Sequence, residues 1–157
     1  MKWLLIIILV CVIMLIANSL SRQYRDKYDF YYNLQQFLNK FKINLGFKQT
    51  KVLDFLNETK PHKEFKVFIE AYKTYIETSN LDLNSIKILE NEEKKDLEEI
   101  ITNTGKLNVD GELNQIDAFL GSVEGKLKLA EENKNKIWPM ILKLSFLFAI
   151  GLAVLLI

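Results

Sequence analysis

The sequence is poor in the residues that carry most enzyme chemistry. Its 157 residues include one histidine, His62, one cysteine, Cys11, and two prolines. A Cys/His zinc site within one chain and an intrachain disulfide are both excluded, because each needs more ligands or partners than are present. A nucleophile system would have to use His62, which lies in the polar turn Lys60-Pro61-His62-Lys63 and reads as a surface histidine near a helix start. Cys11 is flanked by valines and lacks the small residue that precedes a lipidated cysteine, so it reads as an apolar side chain. The six glycines are scattered, and no GxGxxG, P-loop or HExxH occurs. These shortages argue against an enzyme and call for no cofactor or metal.

Charge is missing from both ends. All 20 acidic residues fall between Asp26 and Glu132, and only Lys2 and Lys143 of the 21 basic ones lie outside residues 22–136, so two apolar ends enclose a polar middle. Residues 3–20, WLLIIILVCVIMLIANSL, carry no charge and would span about 27 Å as a helix, close to the hydrocarbon thickness of a bilayer. Trp3 would mark one interface, and Arg22, Arg25 and Lys27 the other. A secretory signal cleaved after Ser19 is the competing reading, opposed by the basic cluster that follows the apolar run. The second run, IWPMILKLSFLFAIGLAVLLI, residues 137–157, would span about 31 Å. Trp138 marks its interface, and Pro139 falls in the first turn of the expected span. Lys143 lies about 9 Å inside, within reach of snorkelling to the basic side or of an acidic group on a partner.

Three segments are therefore expected: a transmembrane helix over residues 1–20, a helical bundle over 21–136 and a transmembrane helix over 137–157. Basic residues at both ends of the middle place it in the cytoplasm by the positive-inside rule, with both termini facing outward.

The middle has no sustained period-two alternation, so the fold class is all-α. A helix over residues 21–42, continuous with the first apolar run, carries Phe30, Leu34, Phe37, Leu38 and Phe41 on one stripe. Asn44-Leu45-Gly46 reads as a stop, followed by a short helix over residues 50–58. Pro61 starts a third helix bearing Phe65, Phe68, Ile69, Tyr72, Tyr75 and Ile76. Asn84 or Ser85 is expected to cap a fourth that runs to about Thr102. The last opens near Asp110, where Leu113, Ile116, Leu120, Val123, Leu127 and Ala130 recur at strict spacings of three and four. This heptad seam is expected to pack antiparallel on the first helix of the same chain, in preference to a coiled coil between chains.

Net charge changes sign along the middle: +5 over residues 22–66, −8 over 67–125 and +2 over 126–136. Anionic lipid headgroups attract the basic parts and leave the acidic part as a docking surface, with Glu90, Glu92, Glu93, Asp96, Glu98 and Glu99 as its centre. The alternative is a solvated helix face, since Glu90, Lys94 and Glu98 pair at four-residue spacing. A middle segment with a net charge of −1 argues against nucleic acid as a partner.

The stretch TGKLNVDGELNQI places Thr104-Gly105, Asn108, Glu112 and Ile116 at set intervals, and ENKNKIW, residues 132–138, precedes the second apolar run. Together with Ile43, Gly46 and Thr50, these residues resemble the stage III sporulation protein AB family of endospore-forming bacteria over nearly the whole chain. Thr104, Asn108, Glu112 and Lys42 depart from the residues usual in the family. The resemblance implies a noncatalytic platform subunit of the mother-cell membrane complex that connects mother cell and forespore. It also implies, by similarity to the inner-membrane platform of type II secretion, a secretion-type ATPase and other membrane subunits of the sporulation complex as partners. The competing reading is a secreted helical binding module with a cleaved signal peptide and a carboxy-terminal membrane anchor.

Overall fold

In the computed structural model, residues 2–48, 51–61 and 63–156 are described. They form α1 (Lys2–Ile43), a π-helical turn (Asn44–Lys48), α2 (Val52–Glu58), α3 (Glu64–Thr78), α4 (Asn91–Asn103) and α5 (Val109–Leu156). No strand occurs among them, as expected for an all-α chain. Two compact units result: Met1–Tyr28 with Lys128–Ile157, and Asp29–Leu127.

In the first unit the side chains packed out of solvent are small. Ala17, Ser21, Ala130 and Ala149 are buried, while Leu15, Leu20, Leu144, Leu147 and Phe148 are exposed. Small residues let helix backbones approach closely and leave the large apolar side chains facing outward, the pattern of membrane helices. By length and composition two stretches can cross a membrane, Ile7–Phe47 and Val109–Leu152. The Ser21 hydroxyl donates to the Asn18 carbonyl at 3.0 Å, so its buried polar group is satisfied within α1. Lys134 Nζ sits 3.7 Å from the centroid of the Tyr28 ring, a cation–π contact. Trp138 is half-buried and Lys143 exposed; the side chain of Trp3 lies outside those described. Pro139 lies inside α5, which runs unbroken from the heptad seam into the apolar run. Its ring removes one backbone donor there, a defect that membrane helices tolerate better than soluble ones.

The second unit is built around phenylalanine. Phe37 of α1 packs against Phe41 (5.9 Å between ring centroids), Phe55 of α2 (5.4 Å), and Phe65 (5.8 Å) and Phe68 (6.0 Å) of α3. Phe30 extends the cluster to Phe65 and Phe68. The stripe on α1 is thus the surface on which α2 and α3 condense. The other side of α1 meets α5. Lys42 Nζ donates to Asp117 at 2.5 Å, and Gln35 Nε2 donates to Glu124 at 3.4 Å. Going back seven residues along α1 matches going forward seven along α5, which defines an antiparallel pair in heptad register. Ile116, Leu120 and Val123 are buried in this seam, and Leu113 and Leu127 are half-buried. The seam therefore packs within the chain, as its length suggested.

The largest departure from expectation is residues 79–90, where a helix from Asn84 or Ser85 was anticipated. Ser79 ends α3 in the left-handed region (φ 59°), and the Asn84 N–H donates to the Asp82 side chain at 2.9 Å. That local bond offers the backbone an alternative to the helix. Leu83, Ile86 and Leu89 are all buried. Their spacing of three imitates a helix stripe but belongs to an irregular strap. Helix α4 starts only at Asn91, after the Glu90 N–H has donated to Glu93 Oε2 at 2.8 Å in a capping box. Two smaller shifts occur upstream. Helix α3 starts at Glu64 and not at Pro61, and α2 starts at Val52, the expected start at Thr50 lying outside the described residues.

Replacing the hub of the aromatic cluster tests this packing. Phe37→Ala should destabilise the second unit by about 3–5 kcal/mol through lost burial and a residual cavity. Phe47→Ala, at a side chain 87% exposed, should change stability by less than about 0.5 kcal/mol. Circular-dichroism melts of both full-length variants in detergent check the contrast.

Candidate functional site

The residues singled out in the sequence separate into two groups, and the structure gives each group a different surrounding. The first is the turn between α4 and α5. Thr104 ends α4 with its N–H on the Ile100 carbonyl at 3.1 Å and its hydroxyl on the same oxygen at 2.8 Å. Gly105 follows at φ +85°, a conformation that favours glycine because it has no Cβ. Asn108 then caps α5: its Oδ1 accepts the Gly111 N–H at 2.9 Å, and its carbonyl accepts the Glu112 N–H at 2.9 Å. A Cβ on Gly111 would lie 2.8 Å from that Oδ1, so a larger residue there would displace the Asn108 side chain.

Glu112 closes the turn. It is only 8% exposed, and its Oε1 accepts the Gly105 N–H at 2.5 Å, seven residues back in the chain. Ile116, one turn further along α5, is buried. Gly105, Asn108, Glu112 and Ile116 are thus brought together as a clasp that ends one helix, starts the next and seats it on the core. The spacing carried the signal, but the partner of Glu112 could not be read from it.

Tyr72 of α3 is buried beside this clasp, and its hydroxyl has no hydrogen-bond partner among the described residues. The neighbouring Thr104 hydroxyl has already committed its proton to Ile100. Burial pushes the Tyr72 phenol up to about 12, and the Glu112 carboxylate adds to the rise.

The acidic group is less uniform than its sequence suggests. Glu90 and Glu93 cap α4, and Asp96 forms an ion pair with Lys126 of α5. Glu92, Glu98 and Glu99 point to solvent. Leu97 and Ile101 turn the opposite face of α4 into the core. Half of the acidic cluster is therefore structural and half forms an exposed face. Asp96 is held by Lys126, at the end of the second unit where α5 leaves it. The same end holds Tyr31, whose hydroxyl burial and the Glu93 carboxylate raise well above the usual phenol range.

No group of three or more His, Cys, Asp or Glu side chains that could hold a metal ion occurs among the described residues. His62 lies outside them. The two groups can do mechanical and electrostatic work: the clasp sets the direction of α5, and α4 presents carboxylates.

Removing the clasp should be costly where removing an exposed charge is not. Glu112→Ala leaves the part-buried Gly105 N–H unpaired and should lower stability by about 1–3 kcal/mol, while Glu112→Gln retains an acceptor and should recover most of it. Melting of the two variants side by side provides the check. The raised phenol gives a second test. An unfolded tyrosine ionises near pH 10. Between about pH 10 and 12 the unfolded chain therefore holds fewer protons than the folded one, and stability falls as pH rises. Tyr72→Phe should make this alkaline loss shallower; equal pH slopes would show that Tyr72 titrates alike in both states.

No curated protein and no solved structure matches the chain. The family model of stage III sporulation protein AB matches residues 2–157, essentially the whole length. The chain, with two span-length helices and the clasp between α4 and α5, belongs to the stage III sporulation protein AB family.

Proposed function

We propose that the protein is a noncatalytic platform subunit of the mother-cell membrane complex that connects mother cell and forespore. In this reading α1 and α5 cross the membrane, residues 21–136 lie in the cytoplasm, and α4 docks a secretion-type ATPase. The observation that carries it is the exposed carboxylate face of Glu92, Glu98 and Glu99, which remains after Glu90, Glu93 and Asp96 have been used internally. A face that does little for the fold is available to a partner, and like-charged carboxylates steer association with a basic surface. Other membrane subunits of the complex meet the large apolar side chains left exposed on the first unit. Arg22, Lys27, Lys128 and Lys136 favour contact with anionic lipid headgroups.

Retention of the amino-terminal helix is part of this reading. The candidate cleavage stretch lies in the middle of α1, with Ala17 and Ser21 buried on either side of Ser19. That packing supports an uncleaved helix over a secreted module.

Topology is tested at Ser79, an exposed residue just after α3. Ser79→Cys in a Cys11→Ser background should react with a membrane-impermeant maleimide only after permeabilisation; labelling of intact cells would put the middle outside. Docking is tested by Glu92→Lys/Glu98→Lys/Glu99→Lys. This variant should melt within about 1 kcal/mol of wild type, because exposed charges contribute little, and should lose ATPase recovery in a pull-down at low salt. Unchanged recovery would exclude the α4 face.

A further inference from the structure

The second unit has a cleft of about 450 Å³ between α1 and the segment that joins α2 to α3. Phe37, Phe55 and Phe65 line it, continuing the aromatic core to the surface. Its two walls each carry an exposed lysine, Lys40 on α1 and Lys60 ahead of Pro61. Neither lysine has an ion-pair partner among the described residues. Glu58 on the same rim leaves the cleft with a net charge of +1. Ile43 forms part of the lining and is 55% exposed, and Phe47, four residues on, is 87% exposed. Lys40 and Ile43 lie one turn apart on α1, so a cationic and an exposed apolar group adjoin in the cleft wall.

We propose that this cleft docks an acidic amphipathic helix of a partner protein, which places one apolar side chain over the phenylalanines and its flanking carboxylates on Lys40 and Lys60. Charge complementarity selects the occupant: two unpaired cations on opposite walls suit carboxylates on either side of an anchor, the helix-in-groove mode of recognition. A second copy of this chain is a poor occupant. Its acidic helix α4 has Leu97 and Ile101 buried, so α4 offers carboxylates without an exposed apolar anchor. The site is separate from the α4 face and does not rest on ATPase docking.

The test uses the full-length protein in nanodiscs of zwitterionic lipid. The probe is a fluorescent synthetic helix with one leucine and one phenylalanine on a single face, flanked by glutamates; its counterpart has lysines in their place. Anisotropy should detect binding of the glutamate peptide alone, weakened by added salt. Lys40→Glu/Lys60→Glu should weaken it at least about tenfold without changing the melt, since both side chains are exposed and unpaired. Ile43→Ala should also weaken it. Equal binding of both peptides, or unchanged binding by the double variant, would overturn the proposal. A photoreactive residue at position 43 should crosslink the glutamate peptide; a crosslink to a second copy in preference to it, or Ile43-dependent capture of phosphatidylglycerol vesicles, would assign the cleft to self-association or to lipid and so overturn it.

Discussion

Every other element of the second unit depends on the antiparallel pairing of α1 and α5. Apolar residues at spacings of three and four recur every 3.5 residues on average, and two helices that share this period meet along a continuous seam. Lys42 with Asp117 and Gln35 with Glu124 mark the same register seven residues apart. Once α5 covers one side of α1, the phenylalanine stripe is left on the other. The short helix α2 and the amphipathic α3 then bury their own phenylalanines against it, Phe55 and Phe65 both touching Phe37. Neither α2 nor α3 is long enough to be stable alone in water, so their order follows from this surface.

Electrostatics is secondary to that packing and partly rearranged by it. Along the sequence, charge runs from basic to acidic and back, as if the acidic part lay furthest from the ends. The fold turns this line into neighbouring helices. Asp96 meets Lys126 across thirty residues, and Lys63 meets Asp29 at 3.3 Å across thirty-four. The acidic cluster consequently begins beside the place where α5 leaves the unit. Only Glu92, Glu98 and Glu99 keep the character that their sequence neighbourhood suggests, while exposed Lys40 and Lys60 form a second, oppositely charged locus.

The family motif acquires a physical meaning in the clasp. A tight connection between α4 and α5 has to satisfy the orphan donors at the start of one helix and the orphan carbonyls at the end of the other. Gly105 supplies the left-handed residue, Asn108 caps, and Glu112 returns to the Gly105 N–H. A buried carboxylate is costly unless hydrogen-bonded, which ties Glu112 to that turn. These residues define the direction of α5 and with it the heptad seam.

Much of this architecture was legible in the sequence. Apolar runs at both ends specify span-length helices, because only one charge, Lys143, falls within them. The stripe from Phe30 to Phe41 and the seam from Leu113 to Ala130 specify helix faces, because apolar periodicity is a local property. What remained illegible depended on partners distant in the chain or on competition within it. Leu83, Ile86 and Leu89 mimic a helix stripe, and only the Asp82–Asn84 bond and the capping box at Glu90 reveal the strap. The division of the acidic cluster was invisible because a carboxylate looks the same whether it caps a helix, pairs with Lys126 or faces water. Tertiary structure made that decision by placing α5 against one side of α4, since an ion pair or cap exists only where folding has brought its two groups together.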